Sequence, residues 1–572
     1  MGRFPFGLRG GMKISLNVAY LLPMLLLVGA WLVSNHYPPW SAFYNEFFAV
    51  LALLALALTG VIAWHAFSIP GPAVLVGLLA CIPLIQFGFG LIDFLGDAII
   101  AASFLGALAL SIVVGANMQQ FGGARSVDAL AWACLLGAVV SVFLAFHQWL
   151  GLQQLGIWLM DMPPYGRPYA NLGQPNNLAT LLCLGLAAAL YLRERGQFGR
   201  AVLALLAVML LAGIAMTRSR TAILAILVMA GWIFWGRRRL GLKCSAVETV
   251  SGVVMFAVLW AGWPAVSDWL HLSAESTVGR LQGTFTGEIR LVLWQQLLDA
   301  VWRQPMTGYG WNQVSAAQVA VIAEYPNVAP AEYSHNLVID LLVWNGVPLG
   351  AMIVLVMAGW LVMQMRSIKS AESWFALLFI LLIGTHGMVE LPHAYAYFLL
   401  PAGLCIGILC RQQAIAFSLP RPAYAGLVAA SIVVSGWIFV EYQTIEADYR
   451  LMRFESIGLE RRSADAVAPK VVLLTQLQDF IRFARTEATE GMTNEEIHWM
   501  ERVAHRYPYP PALMRYALAL GMNHRPEEAA LELRRLKQIQ PAERFGEVRD
   551  AWPSLVKRYP QLGNVSLPSG GT

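Results

Sequence analysis

Apolar runs of about 18 to 25 residues recur along this chain from roughly residue 14 to residue 441. Each is long enough to cross a hydrocarbon core of about 30 Å. Charged residues make up only 13% of the sequence, against about 25% in a soluble globular domain, which is too few to build a water-exposed surface. The first two-thirds or more of the chain therefore lives in lipid.

Segmentation by apolar runs gives about thirteen spans, near residues 14–34, 47–66, 70–88, 98–117, 127–150, 177–193, 200–217, 220–236, 245–263, 336–364, 372–390, 394–413 and 422–441. Arg3, Arg9 and Lys13 precede the first run, which is too long for a signal-peptide core and has no small-x-small cleavage site after it, so it reads as an uncleaved span. Lys and Arg are retained on the cytoplasmic side. With the N-terminus inside, the cytoplasmic connections hold fifteen of them, including Arg237, Arg238, Arg239, Lys243, Arg366, Lys369 and Arg411. The other side holds six outside the tail: Arg167, Arg218, Arg220, Arg280, Arg290 and Arg303. This asymmetry and the odd span count put the C-terminal tail outside, in the periplasm of a bacterial inner-membrane protein. Positive charge on the translocated side runs against the insertion preference, so those six arginines call for compensation there.

Four outer segments are large or polar enough to carry function: 151–176, the junction at 217–221, the stretch 264–335, and the tail. The stretch 264–335 is too long for a structureless loop. Ile289, Val292, Leu293 and Leu297 recur at helical spacing within it, predicting an amphipathic helix on the membrane surface that Gln296 interrupts. From 442 the composition changes, with eighteen Lys and Arg against seventeen Asp and Glu. Pro511–Gly521 and Arg525–Leu536 read as two helices joined by a short turn, like one tetratricopeptide hairpin. The fold class expected is an all-α polytopic membrane protein: a transmembrane domain over 1–441, a helical periplasmic loop at 264–335, and a soluble helical domain over 442–572.

The six cysteines fall in or beside apolar runs, so no disulfide framework and no cysteine-based metal site is implied. No phosphate-loop motif supports nucleotide energy, and nothing points to nucleic acid. Arg218 and Arg220, in Met216-Thr-Arg-Ser-Arg-Thr221, stand at an outer junction. An arginine near the bilayer costs a few kcal/mol unless paired or hydrated. Snorkelling is the plain alternative to a diphosphate clamp, for which the guanidinium fork is well shaped. Arg290 is a second clamp candidate or a surface ion pair.

His335, in Glu332-Tyr-Ser-His-Asn336, lies where the long loop re-enters the membrane, and an imidazole is suited to take a proton at neutral pH. Asn336 adjoins it. Asp340 lies a little over one turn further in and needs a partner, either His335 or an arginine. His386, Glu390 and His393 would share one face if their helix continued, inviting a metal; Pro392 argues against that continuation. Tyr395 and Tyr397 follow as interfacial aromatics. Asn171, Gln174, Asn176 and Asn177 form either a Pro-Asn turn with an amide cap or, beside Arg167, a set of donors for sugar hydroxyls and phosphate.

Five segments recur in order on the outer face: Gly173-Gln-Pro-Asn-Asn177, Ser219-Arg220, Gly308-Tyr-Gly-Trp-Asn312, Ser334-His-Asn336 and Val389-Glu-Leu-Pro-His-Ala-Tyr-Ala-Tyr397. Together they resemble the O-antigen ligase superfamily, and most of all the protein O-oligosaccharyltransferases that glycosylate pilins and other exported proteins. The resemblance implies transfer of a glycan from undecaprenyl diphosphate to a hydroxyl, with no cofactor and no obligatory metal. It implies that His335 matches the family's essential loop histidine, and that Arg220 and Arg290 match arginines binding the lipid diphosphate. Either Tyr395 or Tyr397 matches a family tyrosine.

The mechanism expected has Arg220 and Arg290, with Arg218, holding the diphosphate, while His335, oriented by Asn336 or Asp340, takes the proton of an attacking Ser or Thr hydroxyl. A ligase or polymerase acting on a sugar hydroxyl is the alternative acceptor chemistry; the helical tail favours a protein acceptor. A lipid-linked polysaccharide transporter would show internal repeats and polar groups at mid-bilayer depth, whereas the ionisable groups here gather at the outer ends of spans.

Overall fold

A computed structural model of the chain describes residues 16–64, 66–152, 154–163, 166–272, 277–325, 329–410, 415–459, 467–540 and 542–568. The apolar runs coincide with helices α1 (Leu16–Leu32), α2 (Phe43–Ala63), α3 (Gly71–Leu79), α4 (Ile82–Gly88), α5 (Leu95–Gly122), α6 (Ala124–Trp149), α7 (Pro175–Glu194), α8 (Arg200–Met216), α9 (Arg220–Leu240) and α10 (Ala246–Trp269). The long loop forms α11 (Thr277–Arg303) and α12 (Val314–Val321). The last apolar runs form α13 (Leu337–Ser367), α14 (Ala371–Gly387), α15 (Ala396–Cys410) and α16 (Arg421–Ser456). Among the described residues nine helical segments, α3 and α4 counted together, are long and apolar enough to span a membrane; α1, α8, α14 and α15 are shorter apolar helices. The chain is an all-α multi-pass membrane protein. Arg3, Arg9, Lys13 and Arg411 lie outside the described residues, as do the side chains of Arg280 and Ile289.

Local chemistry sets the helix ends. Ser245 caps α10 in a reciprocal box: its Oγ accepts from Glu248 N at 3.1 Å, and Glu248 Oε2 accepts from Ser245 N at 2.6 Å. Ser219 caps α9, which ends at Gly241 in the left-handed conformation. Two apolar runs are broken inside. The run near 70–88 divides between α3 and α4, with Pro83 in the first turn of α4. The run near 336–364 is interrupted at Gly346, whose φ is 71°. A Cβ at Gly346 would strike the backbone of Pro305 and Met306, so the loop after α11 and the break in α13 fit together only through glycine.

Helices α5 and α15 pack at the centre, where Gly115 and Gly407 bring the two backbones together. A short antiparallel pair, β1 (Ala66–Pro70) with β2 (Ile415–Pro420), lies at the end of the bundle away from the residues discussed below. The sequence reading anticipated no strand. The segments are five and six residues long and sit at the edges of apolar runs, where a strand and a helix end look alike.

The amphipathic stripe of α11 is covered by protein. Leu293 and Leu297 are buried with Val314, Ala317 and Val321 of α12 and with Val343 and Trp344 of α13. Gln296 belongs to the buried face because its Oε1 accepts from Gln318 Nε2 at 3.2 Å.

Helix α16 runs unbroken past residue 441. Glu441 gathers the N–H groups of Val472, Leu473 and Leu474 at 2.8, 2.8 and 3.0 Å. The chain then forms α17 (Thr475–Arg485), α18 (Asn494–Arg506), α19 (Pro510–Met522), α20 (Pro526–Ile539) and α21 (Ala542–Arg558). Helices α19 and α20 are the hairpin expected at 511–536. This helical tail docks on the bundle end that carries the start of α5. Arg506 makes a two-pronged ion pair with Asp97 at 2.8 and 3.0 Å. Gly96 N donates to Thr475 Oγ1 at 2.9 Å, and Tyr509 OH donates to Glu332 at 3.2 Å.

Candidate active site

His335 stands immediately before the first turn of α13. Asn336 is the helix cap: its Oδ1 accepts from Val338 N and Ile339 N at 3.0 and 3.2 Å. Its Nδ2 donates to Met388 O at 3.0 Å, tying the cap to the turn after α14. Ser334 Oγ donates to Asn336 O at 2.7 Å, and Trp294 Nε1 of α11 donates to Ser334 O at 2.8 Å. So braced, His335 has φ 59°, a left-handed backbone that costs a non-glycine residue on the order of 1–3 kcal/mol and persists where its surroundings over-determine it.

The imidazole meets Glu390, which lies beyond the end of α14 and is 1% exposed. His335 Nδ1 is 2.9 Å from Glu390 Oε2. Gln174 Nε2 donates to the same oxygen at 3.4 Å, Asn176 Nδ2 donates to Oε1 at 2.6 Å, and Arg290 donates to Oε1 as well. Burial alone would raise the Glu390 carboxyl; the hydrogen bond from His335 and the charge of Arg290 outweigh it and hold the group below its usual range. An ionised carboxylate only accepts, so Nδ1 carries a proton, and in the neutral imidazole Nε2 is the nitrogen that keeps a lone pair. Among the described residues Nε2 has no hydrogen-bond partner.

Asp340 does not orient His335. Its Oδ1 accepts from Ser334 N at 2.7 Å, and its Oδ2 is 3.1 Å from His393 Nε2. A first-turn side chain leans back toward its own helix N-terminus, which carries this carboxylate to Ser334 and leaves Glu390 to take the histidine. The trio His386, Glu390 and His393 does not converge. Helix α14 ends at Gly387; His386 turns to Thr180 Oγ1 at 2.8 Å, Glu390 to His335 and Arg290, and His393 to Asp340.

His335, Arg290, Gln174 and His393 line one end of a cavity of about 1770 Å³. From that polar end the cavity runs between apolar walls, with Leu78 and Leu79 of α3, Phe104 of α5, and Met352 and Trp360 of α13 among its lining. A site of this form takes an amphipathic ligand, polar at the histidine and hydrocarbon beyond.

The chain is also similar to known families and proteins. A family model described as O-Antigen ligase matches residues 205–354, and one described as Protein glycosylation ligase matches 168–192. A third, described as Virulence factor membrane-bound polymerase, C-terminal, matches 374–554. The chain is similar to the General O-oligosaccharyltransferase of Acinetobacter baylyi, 29% identical over 537 residues, 91% of this chain and 92% of that protein. It is also similar to the ComP-specific O-oligosaccharyltransferase of the same organism, 30% identical over 401 residues, 69% of this chain and 72% of that protein. The chain belongs to the O-oligosaccharyltransferase family. The segments matched by the three family models take in Gln174, Arg290, His335 and Glu390.

The remaining site candidates divide. Arg218, with φ 52°, lays its guanidinium 4.2 Å over the Trp260 ring and donates to Trp260 O, so it engages α10. Arg220 opens α9, is exposed, and is not among the residues lining the cavity. Arg303 pairs with Asp299 and Glu324 at 3.0 and 2.7 Å. Arg290 reaches both the carboxylate that holds His335 and the cavity. Asn171 is a loop staple, its Nδ2 donating to Leu32 O and Trp158 O at 2.7 and 2.8 Å. Asn177 Nδ2 donates to Tyr397 OH at 3.1 Å. Tyr397 is fully buried, whereas Tyr395, stacked 5.1 Å from it, lines the cavity. Glu390 is the residue that sequence reasoning missed. It was weighed there only as a metal ligand, against which Pro392 argued, and so was left without a role.

Proposed function

We propose that this protein transfers an oligosaccharide from undecaprenyl diphosphate to Ser or Thr hydroxyls of exported proteins such as pilins, on the periplasmic face of the bacterial inner membrane. The observation that carries the reading is one arrangement: an imidazole tied through Nδ1 to a buried carboxylate, with an arginine on that same carboxylate, at the polar mouth of an apolar cavity. The apolar length suits a polyprenyl chain and the arginine its diphosphate. In this reading residues 1–441 form the transmembrane glycosyltransferase domain, with its periplasmic loop at 264–335, and residues 442–572 form a periplasmic helical domain.

The acceptor hydroxyl oxygen attacks the anomeric carbon as the bond from that carbon to the diphosphate oxygen breaks. The bonding pair leaves with the diphosphate, whose charge Arg290 offsets. The hydroxyl proton passes to Nε2 of His335, and Glu390 stabilises the imidazolium that results. Diphosphate is a good leaving group and needs no general acid, and a single displacement inverts the anomeric centre. The names of the two Acinetobacter relatives support an oligosaccharide as the group transferred, and the helical tail supports a protein as acceptor.

Purified protein in detergent is expected to move glycan from undecaprenyl diphosphate to a pilin-like acceptor with no nucleotide added. Transfer only to a lipid A-core or lipid-linked sugar hydroxyl would make it a ligase or polymerase instead. Reporter fusions after residue 240 are expected to read cytoplasmic and those after 450 periplasmic; a cytoplasmic tail would overturn the orientation.

A further inference from the structure

The helical tail does more than cap the bundle: it supplies one wall of the reaction cavity. Tyr449 of α16, Phe480 of α17, and Tyr507 and Tyr509, which follow α18, line the same cavity as His335 and Arg290. Their rings form one cluster. Tyr449 stacks on Phe480 at 6.2 Å, Phe480 meets Tyr507 edge-on at 4.8 Å, and Tyr507 stacks with Tyr509 at 6.5 Å.

Polar groups edge this aromatic wall. Tyr509 OH donates to Glu332, three residues before His335 and thus at most about 10 Å along the chain from it. Arg506 also lines the cavity. Its Nε and one terminal nitrogen are spent on Asp97, while the other terminal nitrogen, Nη1, is buried and has no hydrogen-bond partner among the described residues. A buried guanidinium donor without an acceptor calls for a ligand that brings one.

Resting on the proposed function, we infer that this wall binds the donor glycan beyond its reacting sugar, and so sets which oligosaccharide is transferred. Sugar rings present apolar C–H faces that lie on aromatic rings, and hydroxyls around their rims that accept from guanidinium and donate to carboxylate. The wall offers these partners together: Tyr and Phe faces, Arg506 and Glu332. A polyprenyl chain fits the apolar walls between α3, α5 and α13 instead. An acceptor polypeptide has no need of ring faces beside a buried, unpaired guanidinium donor. The glycan extends from the anomeric carbon that the acceptor hydroxyl attacks, and these residues share the cavity with His335.

The test uses full-length protein in detergent and two donors: undecaprenyl diphosphate carrying a single sugar, and the same lipid carrying an oligosaccharide built on that sugar. Tyr509→Ala, at a position exposed in the free protein, is expected to lower kcat/KM for the oligosaccharide donor about tenfold, as truncation of an aromatic that becomes buried under its ligand does. The single-sugar donor should change by no more than about twofold on the same scale. Tyr509→Phe keeps the ring and should retain most of the activity; Tyr449→Ala repeats the test from a different helix. Equal loss on both donors, or none on either, overturns the inference. A rise in acceptor KM with both donors equally affected also overturns it, and assigns the wall to the acceptor. If the unaltered protein transfers neither donor, it is the proposed function that has failed.

Discussion

Replacement of His335 by Ala is expected to lower turnover by about 10²–10⁴-fold, the contribution of a positioned general base, while leaving donor affinity nearly unchanged. In the proposed reaction a Ser or Thr hydroxyl sheds its proton as it attacks, and Nε2 of His335, which Glu390 holds in place through Nδ1, receives it. The backbone supplies a control. At φ 59° an Asn or a Gly is more at ease than a His, so His335→Asn and His335→Gly should fold at least as well as the parent. Neither can take the proton, and both should be as inactive as Ala. Single-turnover transfer and donor binding, measured side by side, decide the matter. If any of the three variants retains full turnover, the histidine is not the base; if all three lose donor binding, it belongs to the diphosphate clamp.

How much of this was legible in the sequence follows from the range over which each feature is encoded. The spans are written in contiguous apolar runs, so the sequence predicts most of these helices within a few residues of where they lie, whereas α16 continues past the end of its apolar run to Ser456. Breaks inside the runs carry local marks, Pro83 in one and Asn345-Gly346 with Pro348 in the other, but those marks do not say what fills the break. At Gly346 the backbone of Pro305 and Met306 comes too close for a Cβ, a contact no local pattern encodes. The stripe of α11 was legible as amphipathic, but not as covered by α12 and α13, since periodicity gives a face and never its partner. Gln296 looked like an interruption until Gln318 supplied its hydrogen bond.

The same limit governs the site. His335, Arg290 and Asn336 were readable as residue types in an outer loop. The partner of His335 lies 55 residues away beyond two further helices, and the nearer Asp340 was the natural candidate by spacing alone. The tail was legible as helical, yet its role as a cavity wall depends on Arg506 reaching Asp97 across 409 residues. Function was more legible than geometry because five short motifs in order identify a family even when none shows what it touches.

Glu390→Gln is expected to cost turnover on the scale seen when the carboxylate behind a catalytic histidine is replaced by its amide, up to about 10⁴-fold. The carboxylate accepts from four donors on two oxygens: Asn176 and Arg290 on one, His335 and Gln174 on the other. An amide has one oxygen and one NH₂ group, so whichever way it turns, two donors face a donor. If the NH₂ faces His335, Nδ1 must become the acceptor and the proton moves to Nε2, the atom that has to receive one. If it faces Arg290, the guanidinium loses its anchor. The loss should therefore appear in kcat together with weaker donor binding, whereas Arg290→Lys should affect chiefly donor binding, because a point charge replaces a fork. A pH scan of stability separates this role from packing. The folded protein holds the Glu390 carboxyl below its usual range, so the stability it contributes is complete above the unfolded carboxyl value and disappears as pH falls through the lower folded one. Glu390→Gln lacks that titration, and its stability relative to the parent should improve steadily across the acid limb. A constant difference between the two at every pH, with turnover intact, would reduce Glu390 to a packing residue and remove the carboxylate from the mechanism.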